Sequence, residues 1–280
     1  MSNQDWIAEA DNVDQSTVET KGPEYPFVQW QNGQPGLKKA GGVSYSGGWF
    51  VQDGQIDAAL LAGWEKGEMT HRDNTSTEGF FMRDLTVAVI RMRRRWIAEG
   101  VGYPWDQYDQ AAATGKATGH LQVLCVIKDM DVPIVLTMKG TVCRAFQGSQ
   151  KAPGVLSTFS RSVVAEANLL AAKRGSKSKF PYRAFWITTG PQRNADGSPV
   201  FTTVGQNTAT SVVTLPTALN IVAKPQPGDL SKLFVGAELL KRFSELYVEA
   251  EAWAIAWDKP QEAAETVVNG AAAPEEELPF

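Results

Sequence analysis

Two short stretches place positive charge beside aromatic rings at spacings that suit a phosphate chain and its bases. The first is "RMRRRW", residues 91–96. Side chains alternate between faces along a strand. Arg91, Arg93 and Arg95 therefore share one face, and Met92, Arg94 and Trp96 the other. Buried charge is costly without partners, so one face must meet water or an anion. Two readings follow: phosphate contact with Trp96 as a stacking surface, or a solvated edge that discourages aggregation between strands. The second stretch is "KRGSKSKFPYRAFW", residues 173–186. Lys173 and Arg174 suit a helix C-terminus. Lys177, Lys179 and Arg183 do not share that explanation, and they alternate with Phe180, Tyr182, Phe185 and Trp186. Bases of a single strand stack on such rings for about 1–3 kcal/mol each while the backbone lies along positive charge. Strand alternation sends some of these rings into the core, and Tyr182 and Arg183 point oppositely.

Other chemistry finds little support. The strong soft ligands are His71, His120, Cys125 and Cys143, with no Cys-x-x-Cys or His-x₃-His spacing. No Gly-x-Ser-x-Gly elbow is present. "GLKKAGG" lacks the Gly-Lys-Ser/Thr ending of a phosphate loop. The acids are scattered rather than clustered as a two-metal site requires. A non-enzymatic protein with no metal and no cofactor is the expectation.

The elements that would carry these residues are mostly strands. Residues 23–82 alternate short aromatic runs with glycines and read as short strands in tight turns, with Trp30 and Trp49 as packing. Residues 84–100 read as a long strand, rich in Val and Ile. "HLQVLCVIKD" and "PIVLTMKG" form a hairpin. Leu156, Phe159, Val163, Ala167 and Leu170 recur at helical spacing over 154–174, and Gly175 suits the end of that helix. Strand character returns at 182–190 and 211–223, and a last helix, capped by Asp229, spans 230–257. The expected class is mainly β with helices (α+β). The order over 84–223 is that of an OB-fold, a five-stranded Greek-key barrel. It is elaborated here by an N-terminal β segment and a C-terminal helix. The loops flanking the binding face would be 98–118, with Tyr103, Trp105 and Tyr108, and 190–210, with Arg193 and Phe201. Loop aromatics of this kind serve binding or form a private core for the loop.

Charge is segregated. Residues 1–20 hold five acids and no base, and residues 258–280 hold six acids against Lys259. The body between them carries 26 bases and 20 acids, a balance of +6. This predicts an acidic disordered arm over 1–22, a basic domain over 23–257, a flexible linker over 258–274 and an acidic segment over 275–280. No apolar run reaches the roughly 20 residues of a membrane span. The polar, acidic start is no signal peptide, and the two cysteines read as reduced thiols, so a cytoplasmic location is expected.

The segment "EEELPF" contains Glu275, Glu276, Glu277, Leu278, Pro279 and Phe280. Solubility accounts for the acids but not for Pro279 and Phe280. The segment closely resembles the acidic Pro-Phe tip of bacterial single-stranded-DNA-binding proteins, in a divergent form of phage or mobile-element type. The resemblance implies OB-fold binding of single-stranded DNA. It also implies docking of replication, recombination and repair proteins on the tip, whose Phe280 ring would fill an apolar pocket. A homo-oligomer is compatible with it. Two other roles fit the same residues: annealing of complementary strands, or an adaptor that uses the tip alone.

Overall fold

A computed structural model describes residues 25–33, 46–70, 75–130, 132–148, 152–177, 179–206 and 209–258. The expected arm (1–22) and acidic segment (275–280) lie outside these residues, as does the 258–274 linker apart from Asp258. The strands are β1 (Phe27–Gln31), β2 (Gly48–Gln52), β3 (Glu65–Thr70), β4 (Ser76–Met82), β5 (Leu85–Ala98) and β6 (Val101–Pro104). They continue with β7 (Thr118–Ile127), β8 (Pro133–Lys139), β9 (Trp186–Pro191), β10 (Phe201–Gln206), β11 (Ala209–Thr214) and β12 (Pro216–Ala218). The helices are α1 (Tyr108–Thr114), α2 (Gly140–Gln147), α3 (Val155–Phe159), α4 (Ala165–Lys173), α5 (Pro227–Leu233), α6 (Ala237–Glu249) and α7 (Glu251–Ile255). A π-helical turn, Ser160–Val164, joins α3 to α4.

The class is α+β, and the main sheet is strongly curled into a half-barrel. Its order is β12-β9-β5-β7-β8-β1-β2-β4-β3, with β6 on the far end of β5. Neighbours are antiparallel except β8 and β1, which run parallel with Val28 opposite Leu136. Within it, β9-β5-β7-β8 has the spatial order 4-1-2-3 of a Greek key. The long return from β8 to β9 holds α2, α3 and α4. β10 and β11 form a separate hairpin.

Each face of the sheet has its own core. On the first face, Val87, Val89, Leu121, Val123 and Leu136 meet Phe146, Phe159 and Val163 from the helical return. The fully buried Phe146 and Phe159 are each worth about 1.5–3 kcal/mol relative to exposure. Trp49 packs edge-on against Trp30 and Phe146. On the second face, Ala88, Ile90, Leu124, Val126 and Trp186 meet Phe243, Ala250 and Trp253. Cys125 and Cys143 are free and buried.

Several elements differ from the sequence reading. The expected helix 230–257 is three helices. Gln226, not Asp229, caps the first, and Asp229 sits one turn in and accepts from the Gln226 amide at 3.0 Å. The chain then breaks at Phe234–Gly236, because Phe234 bridges Phe185 and the Val235 amide donates to the Ala184 carbonyl. Gly236, with φ of +94°, makes that turn. The expected strand start at Tyr182 is a 3₁₀ turn, Tyr182–Ala184. The 98–118 loop contains β6 and α1, and α2 follows β8 directly in a stretch of mixed composition.

At Gly79, in β4, an added Cβ would overlap the Val51 carbonyl and the Phe50 ring. Gly79→Ala is expected to lower stability by about 1–3 kcal/mol. Thermal unfolding should show it as roughly 2–4 °C per kcal/mol.

Candidate nucleic-acid interface

The two faces of β5 diverge at a bulge. Val89 pairs with Cys125 and Arg91 with Leu124, so Ile90 is the extra residue. Beyond it, Arg93 lies opposite Gln122 and Arg95 opposite His120, while Arg94 lies opposite Leu121 and Trp96 opposite Gly119.

Arg91, Arg93 and Arg95 share the second face and lie against the C-terminal helices. The Arg91 guanidinium sits 3.7 Å from the Tyr247 ring centre, and its Nε donates to the Tyr247 carbonyl. Arg93 sits over Trp253 at 4.2 Å and over Trp257 at 4.5 Å. It also donates to Gln122 Oε1 and to the Trp253 carbonyl, both at 2.8 Å. Arg95 lies 4.3 Å from the Trp257 ring. Such contacts are worth about 0.5–1 kcal/mol when exposed and about 2 when desolvated. Burial, and then the Arg95 charge, pulls Arg93 down to about 9. Arg95 is lowered by burial.

Trp96 lies on the opposite face, where an open groove forms. Trp96 and Trp105 stack with ring centres 4.3 Å apart and planes 11° from parallel. Trp96 Nε1 donates to the Trp105 carbonyl at 2.8 Å, which fixes the pair. Tyr108, half exposed at the start of α1, meets Trp96 at 4.8 Å. The Arg94 guanidinium lies 5.0 Å from the Trp105 ring. Gly119 forms the floor, where an added Cβ would come within 3.3 Å of Trp96 and 3.4 Å of Trp105. The cavity is about 790 Å³, and its walls include Trp96, Trp105, Tyr108, Lys116, Thr141 and Arg144. Lys116, Arg144 and Arg94 are exposed. Arg144 and Arg94 both act on Cys143 in the groove wall, although burial dominates and pushes that thiol up to about 12. One acid, Glu99, lies against Gly115 on the rim. A face of stacked rings bordered by cations can take planar, anionic groups.

The remaining sequence candidates divide. Tyr103 lies opposite Trp96, and its hydroxyl meets Thr114 Oγ1 at 2.6 Å, fastening β6 to α1. Lys177 and Lys179 are exposed. Their aromatic neighbours face inward. Phe180 is held by Asn168 and packs on Phe185 and Phe234, Tyr182 meets Phe159, and Trp186 packs on Phe243. Arg183 sits 4.4 Å from the Tyr247 ring and donates to Ser244 at 3.1 Å. None of these lines the Trp96 groove. Arg193 pairs with Asp84. No family model, characterised protein or solved structure matches this chain. The site therefore stands on its own geometry. Among the described residues, no three His, Cys, Asp or Glu side chains gather as a metal site, and no helix is long and apolar enough to cross a membrane. The sequence pattern sets Arg94 beside Trp96 but points the phosphate role to Arg91, Arg93 and Arg95. Arg144, from the unrecognised α2, carried no local signal, and Lys116 sits in an ordinary-looking polar loop.

His120, on the second face between Arg95 and Lys139, is 7% exposed. Burial, then Lys139 and Arg95, lowers it to about 3. Its ordinary value is near 6.5, so the unfolded chain takes up the proton first as pH falls. The stability from neutral His120 is complete above about pH 6.5 and is lost from there toward about 3. Urea unfolding between pH 7 and 5 should show His120→Gln losing less stability than the wild type, by about 1 kcal/mol per pH unit below about 6.

Proposed function

We propose that this chain binds single-stranded DNA without sequence preference, as a protective and recruiting factor in replication, recombination or repair. The observation that carries the reading is the Trp96–Trp105–Tyr108 cluster ringed by Arg94, Lys116 and Arg144. Base faces stack on exposed rings whatever the base, and phosphates follow the cations. Duplex bases are already stacked and cannot enter the groove. We read the half-barrel as an elaborated OB-like barrel, with β5, β7, β8, β9 and β12 as its five strands. The groove then uses the loop after the first of these strands, a location at which OB-folds bind oligonucleotides. The segment Glu275–Phe280 lies outside the described residues. Its proposed role in docking DNA-processing proteins rests on its residue types: acids that steer to a basic rim, and a Leu-Pro-Phe anchor.

Fluorescence anisotropy with labelled oligo-dT tests the reading. Affinity should fall about tenfold or more from low to moderate salt. Trp105→Ala should weaken binding by about 1–3 kcal/mol, the value of a base stack, and added oligo-dT should quench tryptophan emission. A flat titration, or full affinity in Trp105→Ala, would sink it. Joint replacement of Pro279 and Phe280 by Ala should leave DNA affinity unchanged.

A further inference from the structure

The arginines of the second face have unusual company. Arg91, Arg93 and Arg183 contact backbone carbonyls, the Gln122 amide, the Ser244 hydroxyl and the rings of Tyr247, Trp253 and Trp257. Every one of these partners is neutral. Buried cations are ordinarily matched by carboxylates. Arg95 adds another charge over Trp257, and Lys139 follows in the same cross-strand row beyond His120. Arg91, Arg93 and Arg183, with neutral partners alone, are thus positive charges held against aromatic rings.

The part of the cover over Arg93 and Arg95 is slight. α7 has five residues, too few to persist as a helix without contacts. Trp253 and Trp257 anchor it, while Ile255 points outward at 55% exposure. α6 is held separately by Phe243, which packs on Trp186, so α7 can part from the sheet at Ala250 and leave α6 in place. The edge of β5 between these two faces is also free of strands. β9 pairs with Leu85–Ala88 and β6 with Arg95–Ala98, and no strand among the described residues pairs with that edge between them.

We propose that α7 and Trp257 form a displaceable cover over a second phosphate-binding face, made by Arg93 and Arg95 with Lys139. Strand phosphates replace the two indoles and the Trp253 carbonyl as partners of the Arg93 guanidinium. Charge-assisted bonds to phosphate are stronger than neutral ones, which favours the exchange. A strand seated in the Trp96 groove reaches this face over the unpaired edge of β5. The choice of ligand rests on the single-strand reading above.

Hydrogen exchange of the full-length protein, with and without saturating oligo-dT, tests the cover directly. Amides of residues 250–257 should exchange faster in the complex while α6 is unchanged. Unchanged or slower exchange at 250–257 overturns the proposal. Trp257→Ala removes the ring over both arginines and should bind oligo-dT at least threefold more tightly, and Arg93→Gln at least threefold more weakly. Unchanged or weaker binding by Trp257→Ala also overturns it. If Trp105→Ala loses affinity while Trp257→Ala does not gain it, single-strand binding stands and the cover falls. If the wild type binds no oligo-dT, the single-strand reading fails, and inorganic polyphosphate becomes the exchange probe. No acceleration at 250–257 with polyphosphate overturns the cover as well.

Discussion

One extra residue in β5 decides what both faces of the sheet can do. Before the bulge, Val87 and Val89 point to the first core, and Ala88 and Ile90 to the second. Strict alternation would carry Arg91, Arg93 and Arg95 onward to the first face, beside Val89. Ile90 breaks the alternation, because it and Arg91 together oppose Leu124. The phase reverses, so that Arg94 and Trp96 inherit the first face and the other arginines the second. A one-residue change of phase inverts every side chain after it. The groove and the arginine row are two products of that inversion.

The second face then meets a demand that apolar packing does not meet. Phe243, Trp186 and Ala250 close its apolar half. Its charged half is closed by Tyr247, Trp253 and Trp257, whose rings bury apolar area while their faces accept cations. Aliphatic residues at those positions would leave Arg91 and Arg93 desolvated with only their hydrogen bonds to the Tyr247 and Trp253 carbonyls and to Gln122. Burial, and then the Arg95 charge, holds Arg93 below its usual value, at about 9.

Much of the framework could be read from the sequence because it depends on local period. The long strand at 84–100, the hairpin after it and the helical spacing from Leu156 to Leu170 all follow from side-chain pattern. So does the shared face of Arg91, Arg93 and Arg95. Which face that is was not legible, since a bulge leaves no mark when Ile90 is as apolar as Val89 before it. The stretch 173–186 misleads for a related reason. Core aromatics and surface lysines give the same interleaved pattern as a stacking platform, and only tertiary contacts such as Phe180 with Phe234 separate the two. The groove itself is assembled from residues far apart in sequence. Trp96 and Arg144 line one groove because α2 begins where β8 ends beside β7, a long-range fact with no local signature.

The location of the groove follows from how the sheet is covered. β1 lies parallel on the outer edge of β8, which leaves no place there for the three-residue β12. The sheet therefore stays open as a half-barrel, and its faces must be shielded by helices rather than by closure. The return from β8 to β9 shields the first face where Phe146 and Phe159 sit. Toward the end of β5 and β7 the shielding passes to single rings, with Trp96 and Trp105 stacked across the bare Cα of Gly119. Rings laid flat at the limit of a helical layer cover apolar surface and still present edges and an open face. A flat aromatic surface arises there because the core ends in aromatic residues. The cations Arg94, Lys116 and Arg144 around it are what make a planar, anionic ligand the one proposed.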